Sequence, residues 1–401
     1  MQDRTFVVPF VHRLRFTRGA LEPANRVLDD VLIGDPDAGP ARGLNGHHGL
    51  TPHVHPRRPR VLFVVDAGLA AADPGVIDRV RRFAESRTAR LDVAPAAVLV
   101  PGGEACKNDP AVPEMILRAM GDARICRRSY VVVIGGGAVL DVAGYAASIF
   151  HRGVRVVRMP STTLSQDDSG VGVKAGVNRG GVKNLVGTFW PPWAVVNDEA
   201  LLETLSDEHW RSGFSEAVKV ALLKDASFFQ DIESSAPRLR ARDLSAASPI
   251  IRRSAALHAD HIIAGGDPFE FLAARPLDFG HWAAHRLEAM SRFGLTHGYA
   301  VAIGMMIDLT FARLIGACDP GVVARVGDCL RAIGLPTSHE LLARAADLFE
   351  GLEQFREHLG GDLTITLVKS PGDACEVHQI DRAVMEHAIG LVHDRMSAGV
   401  Q

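Results

Sequence analysis

The sequence has no long uninterrupted apolar run, no cysteine framework, no marked net charge and no internal repeat. Each absence removes a class of protein. No apolar stretch of the 401 residues reaches the ~20 residues that a membrane-crossing helix needs. The start, Met1-Gln-Asp-Arg, lacks the basic and apolar regions of a signal peptide, so a cytoplasmic location is expected. The five cysteines, Cys106, Cys126, Cys318, Cys329 and Cys375, are scattered without CxxC spacing, which fits neither a disulfide framework nor a thiolate metal site. A formal charge of −3 gives no electrostatic footprint for nucleic acid. The locally basic Arg57, Arg58 and Arg60, and the stretch from Arg79 to Arg90, read as solvated surface.

What is present is enough apolar material for a large core: 47% hydrophobic and 23% charged residues, over a length that suggests two domains. Phe6 to Val11 and Leu14 to Thr17 alternate like short strands, and Leu21 to Leu32 reads as a helix. Residues 34–59 are rich in Pro and Gly and carry His47, His48, His53 and His55; this segment reads as a mobile loop with solvated histidines. From Arg60, apolar strands (61–66, 97–101, 130–134, 154–159) alternate with helical stretches (77–86, 112–120, 139–150). That alternation predicts an α/β domain with a Rossmann-like parallel sheet, helices on both faces, and ligands at the carboxyl ends of its strands. After about Leu205 long amphipathic stretches (207–233, 245–263, 279–291, 299–315, 322–333, 338–348) predict a mainly α-helical second domain. Ser206, Ser338 and Gly334-Leu-Pro336 supply cap signals, 363–368 alternates like a strand, and 381–396 reads as a closing helix. The expected division is 1–205 and 206–401.

Three groups of residues carry chemistry. Tyr130 to Ile134 empties into Gly135-Gly136-Gly137, a turn that lets backbone approach a pyrophosphate at the start of the helix that follows. It is not the GxGxxG fingerprint, and a glycine turn can also be a plain tight connection. Asp66, ending a strand, is suited to accept from a ribose hydroxyl, with Glu104 and Lys107 on the adjacent loop. The run from Ser161 to Asn184 spends acids, lysines and glycines where a core would want apolar residues, and Asp168, Lys174, Lys183 and Asn184 suit phosphate or sugar oxygens. In the helical half, His281 and His285 share a helical face at i and i+4, His297 opens the next helix and Glu216 lies in an earlier one. With His258 and His261 nearby, this cluster is a candidate divalent-metal site, one carboxylate plus two histidines leaving a position open to substrate.

Those residues resemble the sugar phosphate cyclases, whose best-known member is 3-dehydroquinate synthase. The resemblance runs from about Arg60 to Gly334 through PGGEACK (101–107), GGGAVLDVAGYAAS (135–148), HRGVR (151–155), PSTTLSQDDSGVGVKAGVN (160–178), GGVKNLVGTF (180–189), GFSEAVK (213–219), DFGHWAAH (278–285) and HGYAVAIGM (297–305). It implies a nicotinamide domain followed by a helical metal domain. By the same resemblance Asp66, Glu104, Lys107, Gly136, Gly137, Asp141, Thr162 and Lys183 surround NAD, and Glu216, His281 and His297 ligate Zn2+ or Co2+. Asp168, Lys174, Asn184, Lys219 and His285 handle the hydroxyls and phosphate of a phosphorylated sugar, and Arg152 is lent across a homodimer interface. The implied reaction takes hydride from a ring hydroxyl, expels phosphate, returns the hydride and closes a carbocycle by aldol addition, a lyase chemistry with NAD regenerated.

The departures bear on substrate. His258 stands where dehydroquinate synthases have lysine, and Asp278 where they have asparagine; both changes disfavour a substrate carboxylate. The stretch from Gly265 to Pro276 lacks the family's arginine approach, and 357–361 replaces a lysine-bearing loop. The chain is most similar to the dehydroquinate-synthase-like branch of Ebo gene clusters, with valiolone synthases, which cyclise sedoheptulose 7-phosphate, as relatives. The resemblance therefore implies a cyclase acting on something other than the dehydroquinate precursor. The alternatives are a true 3-dehydroquinate synthase, a metal-dependent alcohol or glycerol phosphate dehydrogenase of the same architecture, and an idle binding protein.

Overall fold

The computed structural model describes residues 3–5, 8–34, 58–180, 182–265, 269, 276–358 and 363–398. The histidine-bearing loop expected at 34–59 lies almost wholly outside them, as does most of the stretch between Gly265 and Pro276. The chain divides into two compact units, residues 1–161 with 170–204, and residues 162–169 with 205–401. Among the described residues no helix is long and apolar enough to cross a membrane. All five cysteines are free.

The first unit contains, in order, β1 (Leu14–Thr17), α1 (Val27–Leu32), β2 (Arg60–Asp66), α2 (Ala67–Ala72), α3 (Gly75–Ser86), β3 (Asp92–Val93), β4 (Val98–Val100), α4 (Ala105–Asn108), α5 (Ala111–Asp122), β5 (Tyr130–Gly135), α6 (Gly137–Ile149), β6 (Arg155–Pro160), β7 (Lys174–Arg179), β8 (Val182–Phe189) and β9 (Ala194–Asp198). Seven of the strands form one sheet in the order β1-β9-β6-β5-β2-β3, with β4 also on β2, and every pairing is parallel. The period of two along each strand sorts side chains into two cores. Val61, Phe63, Val65, Val132 and Ile134 pack with α1 and α3, whereas Leu62, Val64, Val131 and Val133 pack with α5 and α6. Burial on both faces explains why these strands read as unbroken apolar runs. The expected parallel sheet with helices on both faces is therefore present.

Several local expectations change. Residues 8–13 form no strand, and α1 begins only at Val27. The polar run after Ser161 contains an antiparallel hairpin, β7 with β8, whose glycines, Lys183 and Asn184 hide the strand pattern. A further strand, β9, lies between β1 and β6 in the sheet.

The second unit opens with a π-helical turn at Ser165–Ser169. It continues with α7 (Asp207–Lys224), α8 (Ala226–Arg240), α9 (Leu244–Ala264), α10 (His281–Met290), α11 (His297–Leu314), α12 (Pro320–Ile333), α13 (Ala345–His358), β10 (Ile365–Ser370), β11 (Asp373–Val377) and α14 (Arg382–Ala398). The stretch read as one helix over 207–233 is broken at Asp225, whose carboxylate accepts from Ser227 N and Phe228 N and caps α8. Ser206 caps α7 as its position suggests, and Gly334 ends α12 at φ 91°. Ser338 is not a cap: His339 accepts from Leu341 N instead, at the head of a 3-10 turn over Glu340–Arg344. β10 is joined by an unforeseen partner, β11, in a hairpin.

The amphipathic reading of α7 and α11 understates their burial. From Ser212 to Leu223 on α7, and from Ala300 to Ala312 on α11, every residue is buried, so both are central helices wrapped by others. Polar side chains on them are consequently inside the protein. That is what makes Glu216 and Lys219 chemically informative.

Candidate functional site

In the second unit three helices converge. Glu216 on α7, His281 at the first position of α10 and His297 at the first position of α11 bring one ligand atom each within 4.8 Å of one another. Two backbone features make the approach possible. Gly280 enters α10 at φ 78°, and Gly298 lies so close to α7 that a Cβ there would stand 2.0 Å from the Ser212 carbonyl oxygen. Only glycine tolerates both demands.

The histidine rings are oriented by their other nitrogens. His281 Nδ1 donates to the Phe279 carbonyl at 3.1 Å, and His297 Nδ1 to the buried Glu288 carboxylate at 2.9 Å. This leaves both Nε2 atoms turning an unshared pair toward Glu216 Oε1, at 3.7 and 3.4 Å. Burial, with Lys219 close by, pushes the His281 imidazole down to about 3, so it is neutral at ordinary pH. Neither buried oxygen of Glu216 makes a hydrogen bond of good geometry, although Lys219 Nζ lies against Oε2. A buried carboxylate oxygen facing two imidazole lone pairs is the donor set of a divalent transition ion, and the bonds to Phe279 and Glu288 are the supports such ligands use. The residues present fit a metal.

Around them lie the groups expected to meet substrate. Lys219 is 2% exposed, in contact with Glu216 and 4.0 Å from Asp168 Oδ1. Burial alone would lower its pKa, but Glu216 and then Asp168 outweigh it, so the ammonium is held charged. His258 Nδ1 meets Asp168 Oδ1 at 2.8 Å, and Asp168 stays ionised because Lys219 and His258 offset its burial. Asp278 adds a further negative field at Lys219. His285 is exposed, its ring centroid 5.5 Å from that of His281 and 5.8 Å from that of His297. Thr162, expected near the cofactor, groups with this unit, its Oγ1 2.7 Å from Ser165 Oγ. Asp167, next to Asp168, is fully buried with neither oxygen hydrogen-bonded, and burial, Asp168 and Glu216 together hold its pKa well above the usual carboxylate range.

The first unit assembles the other candidates at the carboxyl ends of β2, β4 and β5. Gly136 caps α6 without a side chain, leaving the first-turn N–H groups of Gly137 and its neighbours available to an anion. Asp66 spends Oδ1 on the N–H groups of Gly68 (2.7 Å) and Leu69 (3.4 Å), which caps α2. Lys107, buried, donates to Asp141 Oδ2 at 2.7 Å and also to Asn184 Oδ1, so Asn184 belongs to a network with residues assigned to the cofactor. Lys174 is exposed at the start of β7, Lys183 half-buried in β8, and Arg152 exposed in a turn where both His151 (φ 51°) and Arg152 (φ 64°) are left-handed.

Four residues with clear roles were not among the sequence candidates. Glu288 orients His297; its signal was the spacing of three residues after His285 on the metal helix. Asp308 accepts from Gly280 N and Trp282 Nε1, both at 2.8 Å, and so fixes the entry to α10 from a helix 26 residues away. Arg158 interrupts an apolar strand, and its buried guanidinium donates to the carbonyls of Gly170 (3.2 Å), Gly172 (2.7 Å) and Lys174 (2.8 Å), fixing the glycine-broken approach to Lys174. Asn178 joins Glu104 to Asn184.

Comparison with known proteins matches two adjoining stretches of the chain. Residues 97–212 match the 3-dehydroquinate synthase N-terminal family and residues 213–356 the 3-dehydroquinate synthase C-terminal family. A 3-dehydroquinate synthase of Cereibacter sphaeroides (strain ATCC 17029) is 34% identical over 331 residues, covering 79% of this chain and 85% of that protein. A 2-epi-valiolone synthase of Actinosynnema mirum is 36% identical over 252 residues, covering 62% of this chain and 65% of that one. Among solved structures, a 2-epi-5-epi-valiolone synthase from Streptomyces hygroscopicus subsp. jinggangensis 5008, with NAD+ and Zn2+ bound, superposes with a TM-score of 0.84 at 25% identity, covering 98% of this chain and all of that one (100%).

Proposed function

The chain belongs to the 3-dehydroquinate synthase family of sugar phosphate cyclases, and from that premise we propose that it cyclises a ketose phosphate lacking a carboxylate, with NAD and a divalent metal as cofactors. Glu216, His281 and His297 would hold the ion, Zn2+ or Co2+ on the chemistry of the donors. Gly136, Gly137, Asp66, Glu104, Lys107, Asp141, Thr162 and Lys183 would hold NAD. When bound, the nicotinamide supplies reversible hydride acceptance and the ion polarises a hydroxyl and the ketone derived from it.

This chain's own residues supply position and charge. His258 holds Asp168 in one orientation, and the ionised Asp168 is suited to orient a substrate hydroxyl and accept its hydrogen bond. Lys219, kept charged by Glu216 and Asp168, stabilises oxygen that becomes negative as a C–H bond is broken. Lys174 offers a cation to the departing phosphate, and Arg152 of a second copy would add another.

The observation that carries the substrate assignment is the charge around Lys219. Glu216, Asp168 and Asp278 all act on this one buried ammonium, and His258 is spent on Asp168. A substrate carboxylate brought beside Lys219 would add a further negative charge to a group that already faces three, and among the described residues His258, the cation nearest Asp168, is already engaged. Incubating the protein, NAD+ and Zn2+ with sedoheptulose 7-phosphate and with the carboxylated dehydroquinate precursor, followed by phosphate assay and product mass, tests this. Phosphate release from the neutral heptulose phosphate without net NADH is expected. Release from the carboxylated precursor alone would show a 3-dehydroquinate synthase, and net NADH a dehydrogenase.

A further inference from the structure

We infer that Asn178 is a positioning residue that sets Asn184 and Glu104 together, coupling the substrate-facing bulge of β8 to the cofactor loop. The inference rests on the cofactor reading above for the meaning of Glu104, and on geometry alone for the rest. In the β7–β8 hairpin Val177 pairs with Val186 and Arg179 with Val182, so Asn178 on β7 faces three residues, 183–185, on β8. That is a bulge, and it contains Lys183 and Asn184. Asn184 sits there at φ 57°, a left-handed conformation that turns its backbone N–H out of the ladder.

The orphaned N–H is taken by a side chain. Asn178 Oδ1 accepts it at 2.8 Å, standing in for the strand carbonyl that the bulge removed. The same amide donates to Glu104 Oε1 at 2.9 Å and to Asn108 Oδ1 at 3.0 Å, so one acceptor and both donors are used in a side chain only 5% exposed. The orientation follows from the partners: a flipped amide would set its NH2 against the Asn184 N–H and its oxygen against the Glu104 carboxylate. Asn184 Oδ1 in turn accepts from Lys107, which also pairs with Asp141. Asn178 thus closes a chain from Asn108 and Glu104 through Asn184 to Lys107 and Asp141.

Two substitutions separate the links. Asn178→Asp keeps an acceptor for the Asn184 N–H but loses both donors and places a carboxylate against Glu104. Asn178→Ala removes all three bonds. In the metal-loaded protein, Asn178→Asp is expected to weaken NAD+ binding by calorimetry about tenfold or more, the scale of a lost hydrogen bond to a charged group, with the KM for NAD+ rising and kcat little changed. Hydrogen exchange across 182–189 should match that of the unsubstituted protein. Asn178→Ala should speed exchange in that segment and lower kcat as well. Unchanged exchange across 182–189 in Asn178→Ala, or NAD+ affinity unaltered in Asn178→Asp, would overturn the inference. Failure of the unsubstituted protein to bind NAD+ would instead overturn the cofactor reading, since the exchange experiment needs no cofactor.

Discussion

Asp308 bears a burial cost that the pH dependence of stability will report. It is fully buried on α11, and burial pushes its carboxyl up to about 7 despite the hydrogen bonds from Trp282 and Gly280. Above the ordinary carboxylate range the folded protein therefore binds a proton here that the unfolded chain does not. A raised carboxyl pKa makes the contribution complete below about pH 4 and removes it as pH climbs to 7, at up to about 1.4 kcal/mol per pH unit. Urea unfolding between pH 4.5 and 7.5 should show native stability falling relative to Asp308→Asn, whose amide cannot titrate. Parallel curves for the two proteins would show that Asp308 is ionised in the fold. At the same scale, Glu216, His281 and His297 were legible as a carboxylate and two imidazoles in one half of the chain. Glu288, Arg158, Asn178 and Asp308 were not, because each acts through a bond whose value depends on where its partner stands.

At the level of elements, the site depends on α7 and α11 touching. Gly298 is the contact: a methyl group there would overlap the Ser212 carbonyl at 2.0 Å, and relief requires the first turn of α11, with His297, to move away from α7. Overpacking of this kind costs about 1–3 kcal/mol, too little to unfold a domain this large but enough to spoil a three-ligand site. Gly298→Ala is expected to keep native far-UV circular dichroism while losing tightly bound zinc after dialysis, measured by elemental analysis. Retained zinc would mean that the helices adjust without moving His297. The elements themselves were legible in proportion to their burial. β2 and β5, covered on both faces, are near-continuous apolar runs, and the period of α9 and α12 gives their extents within one or two residues. The β7–β8 hairpin was opaque because its pairing tolerates glycine at Gly176 opposite Gly187, and its polar residues belong to the site. The break at Asp225 was missed because the apolar pattern of α7 continues into α8, and only the cap marks the boundary.

At the level of the whole molecule, the proposal carries a homodimer, and the turn that holds Arg152 supplies a test of it. His151 and Arg152 are consecutive non-glycine residues at positive φ, each costing about 1–3 kcal/mol, and both are exposed. A turn strained in order to present an arginine to solvent suits a side chain that serves a neighbouring copy. If Arg152 acts across a two-fold interface, Arg152→Ala and Glu216→Gln, each nearly inactive alone, should complement when co-refolded. Random pairing makes half of the dimers mixed, and each mixed dimer has one site with an intact Glu216 and an Arg152 from the other copy. About one quarter of the original activity should return. If Arg152 served its own site, each site in a mixed dimer would lack one of the two residues and no activity would return. Sedimentation of the mixture at assay concentration separates that outcome from a protein that does not dimerise, because only in the latter case would a monomer be seen.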